Sequence, residues 1–368
     1  MNIYLLLILI ILNQTYSFYS KNFIRISKIK LNSYKYKKEY YDFYNNYKQK
    51  LLTNSLNVNH TSFIDKNINN YKIFEKNVDY INEMNQNLLL NNENLKLGIN
   101  QFTDSISFED NNNNDLMKFT INKNEIPIDY QNLFLKPFRD PFNYIKNIFK
   151  NNKTFNWNTT NLLSPVKNQL SCGSCWAFST TSSLETYMRI NNYTIDRLSE
   201  QELVDCSKEN NGCQGGLMHL AFDYIINNKG LHKYEDYKYN AIDNNCSKPQ
   251  NISKALGSNI TEYSFIIPKS IFDIKLSVEK SPVTIALDAN NFYFRFYKEG
   301  VIDLPANYSK ELNHAVLLVG YDYDEKGMYW IIQNSWGESW GENGFCKIRV
   351  NKDEGTLLCQ LYGVYPTK

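Results

Sequence analysis

All seven cysteines of this chain lie beyond residue 150, at positions 172, 175, 206, 213, 246, 346 and 359. No other feature constrains the fold as much. Whether they pair depends on the compartment, and the N-terminus bears on that. Ten apolar residues, Ile3 to Leu12, follow Asn2. A conventional membrane-spanning helix needs about 20 residues, so the run fits the apolar core of a secretory signal, with Thr15 and Ser17 near a cleavage point. No Lys or Arg precedes it, so an uncleaved anchor is the other reading. In an oxidising lumen most cysteines pair. An odd count then leaves one thiol over, a candidate nucleophile.

Composition places a boundary at the same point. Of 53 asparagines, 29 precede Asn151, in runs such as Asn111 to Asn114 that read as surface loop. Between Lys66 and Leu90, Ile73, Phe74, Ile81 and Met84 recur at helical spacing. Pro127, Pro137 and Pro141 then mark a linker, the kind of segment a protease cuts. The net charge of +2 is spread over interspersed signs, so nothing here argues for a nucleic-acid partner. Eight N-x-S/T sequons beyond residue 17, including those at Asn192 and Asn259, give weak support to secretion in so Asn-rich a chain.

The second part is dense in motifs. Cys172-Gly-Ser-Cys175 has the C-x-x-C spacing, open to three readings: half a zinc site, a redox pair, or a structural half-cystine beside a nucleophile. From Trp176 to Arg189 nothing breaks a helix, and Phe178, Leu184, Tyr187 and Met188 can share one face. Cys175 would then sit at a helix start, where unpaired N–H groups and the dipole favour a thiolate. Ser199 followed by Glu202 is a capping pattern for a second helix, which Cys206 ends. Gly212-Cys213-Gln-Gly215-Gly216 forms a turn that another backbone can approach closely, and Leu217 to Asn227 reads as a short helix. Short β-rich runs follow at Pro282–Leu287, Ala315–Val319 and Tyr329–Ile332. Helices first and strands later predict an α+β fold of two lobes, with the site in the cleft between them.

A cysteine nucleophile needs a base and a group to orient that base. The chain has four histidines, His60, His219, His232 and His314. His60 lies in the lead-in, and His219 and His232 read as ordinary packed or surface imidazoles. His314 precedes a buried-looking strand. Asn334, at the end of the next strand, offers a carbonyl oxygen that can fix an imidazole tautomer without adding charge.

Five motifs in order now stand together: Pro165-Val-Lys-Asn-Gln169, Cys172-Gly-Ser-Cys-Trp-Ala-Phe178, Gly212-Cys-Gln-Gly-Gly216, Asn313-His-Ala315 and Asn334-Ser-Trp-Gly337. From Trp157 onward the chain resembles the papain family of cysteine proteases, in its cathepsin L-like branch, whose nucleophile signature is C-G-[SA]-C-[WY]. The resemblance implies a papain-like two-lobed α+β fold, with a helical left lobe and a β-barrel-like right lobe. It implies Cys175 as nucleophile, His314 as general acid/base, Asn334 as its orienting partner and Trp336 as a shield over that hydrogen bond. Gln169 would join the Cys175 N–H in an oxyanion hole, where one donor is worth roughly 3 kcal/mol. The thiol is expected to be lowered to about 3–4, as in papain-like sites. Gly215 and Gly216 would pair with an extended peptide. Leu217, Met218, Ala286, Leu312 and Ala315 match the walls of the main specificity pocket and imply Leu, Val or Phe two residues before the cut. Its floor, around Leu361 to Gly363, stays open.

The same resemblance implies the disulfides Cys172–Cys213 and Cys206–Cys246, with Cys175 free. Cys346 and Cys359 are left over, expected on neighbouring C-terminal strands where they could bridge each other. It further divides the chain into a signal at 1–17, an inhibitory propeptide and activation linker at 18–150, and a peptidase domain at 151–368. Phe74, Asn77, Ile81 and Asn85 match the second half of a propeptide helix motif, while Lys66 and Asn70 replace its Glu and Arg. Gly98, Asn100, Phe102 and Asp104 match a second propeptide motif. The implied partners are protein or peptide substrates, the chain's own propeptide and cystatin-type inhibitors. No cofactor or metal, a monomeric state, and an acidic lysosome- or vacuole-like compartment or the extracellular space complete the picture. An inactive homologue acting as a binding protein is the alternative. An exopeptidase is disfavoured, since no long insertion stands near Gly215, and zinc lacks a second ligand pair.

Overall fold

The computed structural model describes residues 35–47, 68–91, 93–105, 153–195, 197–249, 251–305, 308–309, 311–351 and 355–367. The N-terminal apolar run, His60, Lys66 and the proline-marked linker lie outside the described residues. Two compact units emerge, one within 1–82 and 99–109, the other within 83–98 and 110–368.

In the first unit, helix α1 (Lys37–Tyr47) packs on the first part of α2 (Ile68–Leu90). The contact is aromatic. Tyr40 lies 5.1 Å from Tyr71 and 5.0 Å from Phe74, both edge-on, and Phe43 and Val78 complete a buried cluster. Edge-to-face pairs add about 0.5–1.5 kcal/mol each beyond burial. The expected helical spacing holds for Phe74 and Ile81, and Asn77 donates from Nδ2 to the Thr103 carbonyl at 2.9 Å.

The second unit begins with the end of α2. Asn85 clamps both backbone groups of Leu97, donating to its carbonyl at 2.9 Å and accepting from its N–H at 2.8 Å. Leu97 belongs to strand β1 (Lys96–Leu97), which pairs antiparallel with β5 (Tyr297–Glu299). The main sheet joins β3 (Tyr263–Phe265), β10 (Gly363–Pro366), β4 (Val283–Leu287), β7 (His314–Asp324), β8 (Gly327–Gln333), β9 (Phe345–Arg349) and β6 (Val301–Ile302), in that order, with β2 (Phe155–Asn156) on β7. The described pairings are antiparallel except β6–β9.

Between β2 and β3 come α3 (Cys175–Ile190), α4 (Glu200–Cys206) and α5 (Met218–Asn227), while α6 (Ile271–Lys280) and the short α7 (Phe292–Arg295) interrupt the later strands. The expected one-sided face of α3 is incomplete as a description. Its residues from Cys175 to Thr186 are all buried, polar ones included. The hydroxyls survive burial by bonding back into the helix, as Thr180 Oγ1 does to the Trp176 carbonyl at 2.7 Å. The order of helices then strands gives the α+β architecture read from the sequence.

The cap of α4 forms only on one side. Ser199 Oγ accepts from the Glu202 N–H at 2.9 Å. The Glu202 carboxylate does not reach back; it takes the N–H of His232 at 2.7 Å, its Nδ1 at 2.9 Å and Asn228 Nδ2 at 2.8 Å. A buried carboxylate needs several donors, and the loop at His232 supplies more than the cap could. His232 is therefore a packed residue, as read from the sequence.

Disulfides join Cys172 to Cys213 and Cys206 to Cys246. The expected bridge between Cys346 and Cys359 is absent, and both thiols are free and buried. Cys346 lies on β9 opposite Ile332, but Cys359 is not on a strand. It caps the 3-10 turn Thr356–Leu358, in which Leu357 and Leu358 adopt positive φ, and β10 starts only at Gly363.

Candidate active site

Cys175 is the first residue of α3 and 8% exposed. With Cys172 committed to Cys213, the C-x-x-C spacing supplies neither a dithiol nor a pair of metal thiolates. The helix start is held from outside. Ser174, at the N-cap, makes no capping bond; its Oγ shares a hydrogen bond with Tyr239 Oη at 2.7 Å. The N–H of Gly173 donates to the Cys213 carbonyl at 2.9 Å, and a Cβ there would sit 2.5 Å from that oxygen, so only glycine allows the approach.

His314 opens β7 and Asn334 follows β8, so β7–β8 pairing brings them together. Their separation is 2.8 Å between His314 Nε2 and Asn334 Oδ1. The same Oδ1 accepts the Ser335 N–H at 2.8 Å. A backbone N–H can only donate, so this atom is the amide oxygen and His314 Nε2 carries the proton. Nδ1 then remains as the basic nitrogen, and among the described residues it has no hydrogen-bond partner. Trp336 stacks on the imidazole at 4.7 Å and 29°. Phe294 stands edge-on to both rings, at 6.1 Å from His314 and 5.5 Å from Trp336.

Gln169 reaches the site because residues 167–169 zip against 335–337. Its N–H donates to the Ser335 carbonyl at 2.9 Å, Asn168 bridges to Trp336, and the Gly337 N–H donates to the Lys167 carbonyl at 3.0 Å. The side chain is fixed at both ends. Nε2 donates to the Cys172 carbonyl at 2.9 Å, and Oε1 accepts from Ser335 Oγ at 2.7 Å. The second Nε2 hydrogen is available for a further acceptor.

Beneath this segment lies a buried ionic cluster. Lys167 Nζ stands 2.7 Å from both Glu185 and Glu200, and Arg197 pairs with Glu200 at 3.0 Å. The positive groups of Lys167 and Arg197 hold Glu200 ionised, below the usual carboxylate range, against burial. Ser335, Tyr239, Phe294 and Lys167 were not singled out from the sequence. Each acts through contacts made across long stretches of chain, and only the aromatic richness around Phe292 hinted at Phe294.

Burial works against the charged form of both groups. It pushes the Cys175 thiol up to about 11, although the N–H groups of Ala315, Trp176 and Cys175 itself pull the other way. It also pushes His314 down to about 4, with the Asn334 bond opposing and the Arg295 guanidinium assisting. Desolvation penalises each charged form and outweighs the helix start.

Met218, Ala286, Leu312 and Ala315 come together in one buried apolar cluster with Cys175, Leu361 and Tyr362, and Leu217 packs against it. Gly215 has φ 117°, and a Cβ on Gly216 would lie 2.4 Å from Asn210 Oδ1 and 2.7 Å from the Trp176 ring. His219 stands apart from Cys175 chemistry, its Nδ1 2.7 Å from Tyr362 Oη.

Similarity to known proteins agrees with this geometry. The sequence is 41% identical over 209 residues to cathepsin L2 of Homo sapiens, covering 55% of this chain and 61% of that protein. The chain thus spans about three fifths of the length of that relative. Among solved structures, recombinant stem bromelain precursor superposes with a TM-score of 0.71 at 30% identity, over 90% of this chain and 98% of the other. Digestive procathepsin L2 proteinase from the larval midgut of Tenebrio molitor gives the same TM-score and identity, over 90% and 99%. The profile described as papain family cysteine protease matches residues 151–364, and the chain belongs to that family.

Proposed function

We propose that the chain is a cysteine endopeptidase that hydrolyses peptide bonds through a thioester acyl-enzyme. The observation that carries this reading is the 2.8 Å bond from His314 Nε2 to Asn334 Oδ1, which leaves Nδ1 as the base in the buried site that also holds Cys175. The Cys175 proton passes to Nδ1, and sulfur attacks the substrate carbonyl carbon. The oxyanion is received by Gln169 Nε2 and the Cys175 N–H. The carbon–nitrogen bond then breaks, and the imidazolium returns its proton to the leaving amine. Water, deprotonated by the same nitrogen, hydrolyses the thioester and regenerates the thiol. Gly215 and Gly216 offer backbone groups to the extended substrate. The apolar cluster around Met218 and Ala286 receives Leu, Val or Phe two residues before the cut.

The chain is made as a zymogen in this reading, with a signal or anchor at 1–17, an inhibitory segment at 18–150 and the peptidase at 151–368. Support comes from relatives solved as a precursor and as a procathepsin, and from the Asn77 and Asn85 bonds that order the propeptide motifs. A secretory route to an acidic compartment or outside the cell, cystatin-type inhibitors and a monomeric state belong to the same proposal. Acid-quenching a reaction with a peptide ester and mapping the covalent acyl group by mass spectrometry tests the step directly. An adduct on any residue other than Cys175, or none during turnover, would sink it.

A further inference from the structure

Beyond the last rung of the β7–β8 ladder, Leu317 opposite Gln333, the two strands part. The backbone that follows Gln333 explains why. The Asn334 N–H donates to the Gly344 carbonyl at 2.9 Å, and the Ser335 carbonyl accepts from the Gln169 N–H at 2.9 Å, so neither group is given to β7. A small crevice of about 10 Å³ opens there. Val316 of β7, Asn334, Ser335, and Ser179 and Ser182 of α3 line it, together with Lys167.

Asn334 is 3% exposed, and its Oδ1 is committed to His314 Nε2 and the Ser335 N–H. The other end of the amide, Nδ2, is buried and has no hydrogen-bond partner among the described residues. Oδ1 is directed at His314, which does not border the crevice, so Nδ2 is the end left to face it. A buried N–H without an acceptor is costly, and protein interiors commonly supply one as an ordered water.

One water needs roughly 10–15 Å³ and two to four polar partners. The crevice offers both. Ser179 and Ser182 stand three apart on α3, hence on one face of it. Ser179 Oγ donates to the Trp176 carbonyl at 3.3 Å, which leaves its lone pairs to accept. Lys167 does not compete as a donor, because its three ammonium hydrogens go to Thr181, Glu185 and Glu200. Its positive charge also argues against a metal cation at this place.

We propose that the crevice binds one ordered water, which accepts from Asn334 Nδ2 and donates to the Ser179 and Ser182 hydroxyls. The water is a positioning element, a role that rests on the endopeptidase reading above. It ties Asn334, which orients His314, to α3, the helix that begins at Cys175. Base and nucleophile are thereby kept in register through one helix.

The direct test is a crystal structure of the full chain carrying Cys175→Ala, at a resolution that shows buried waters. A peak about 2.7–3.2 Å from Asn334 Nδ2 is expected. No peak there, with other buried waters visible, overturns the inference. Kinetics of the acid-activated chain test the positioning role. Ser182→Val fills the crevice with methyl groups and should lower kcat about tenfold with KM nearly unchanged, short of the hundredfold that a misplacement of about 1 Å can cost. Ser182→Ala removes one acceptor but leaves the room, and should lower kcat by about threefold at most. Equal losses from the two variants, or a loss carried by KM, overturn the role. Ser179→Val and Ser179→Ala repeat the comparison if Ser182→Val does not accumulate. A wild type that cleaves no peptide, with the peak present, overturns the endopeptidase reading and leaves the water site standing.

Discussion

Ser335 and Gln169, 166 residues apart, share a hydrogen bond in which Ser335 Oγ donates to Gln169 Oε1 at 2.7 Å. With the donation of Nε2 to the Cys172 carbonyl, the bond fixes which end of the Gln169 amide is the oxygen. Gln169→Ala should lower kcat by about a hundredfold, the usual loss for one oxyanion donor. Ser335→Ala frees the amide to turn without removing it, and a loss of about three- to tenfold in kcat with little change in KM is expected. Steady-state kinetics on one peptide separates the two. Equal losses for both variants would contradict the positioning role.

The pH response of stability follows from two buried groups, His314 and Cys175. His314 has its folded value depressed from 6.5 to about 4 by burial. Its contribution is therefore present above 6.5 and lost as pH falls through 4, and amounts to about 3 kcal/mol. Cys175 has its folded value raised from 9.0 to about 11, so its contribution holds below 9 and fades as pH rises through 11. Denaturant unfolding of the unprocessed chain should weaken from pH 6.5 to 4. His314→Gln should flatten that part of the curve; an unchanged slope would rule out His314 as its source.

How much of this could be read from the sequence varies with the range of the interaction. Cys175, His314 and Asn334 stood out because each lies in a short motif set by local backbone demands, such as the close approach at Gly173. The strands and the helix from Cys175 follow from periodicity and the absence of breakers. Glu202 was read as half of a capping box, but His232, 30 residues away, claims its carboxylate. Cys359 was expected on a strand, and the positive φ of Leu357 and Leu358, which leucine rarely adopts, hid the turn. The depressed His314 and raised Cys175 depend on burial, which no local pattern reports.

The free thiols give a direct count. With Cys172, Cys213, Cys206 and Cys246 paired, three cysteines remain. The unreduced chain should take up three maleimide labels in denaturant, at Cys175, Cys346 and Cys359. A single label, with Cys346 and Cys359 recovered as one linked peptide, would restore the bridge that the structure lacks.

Lys167 neutralises two buried carboxylates, Glu185 and Glu200, under the segment that carries Gln169. Lys167→Met leaves them facing each other and should cost about 3–5 kcal/mol in denaturant unfolding, as for a broken buried pair. A loss below about 1 kcal/mol, typical of a surface pair, would show that the cluster holds nothing.

Peptide cleavage by the acid-activated chain, with and without Cys175→Ala, bears most directly on the central claim. Hydrolysis by the wild type and a loss of about ten-thousandfold or more in the variant are expected, on the scale of removing a catalytic nucleophile. Cleavage by Cys175→Ala at the wild-type rate would contradict the account.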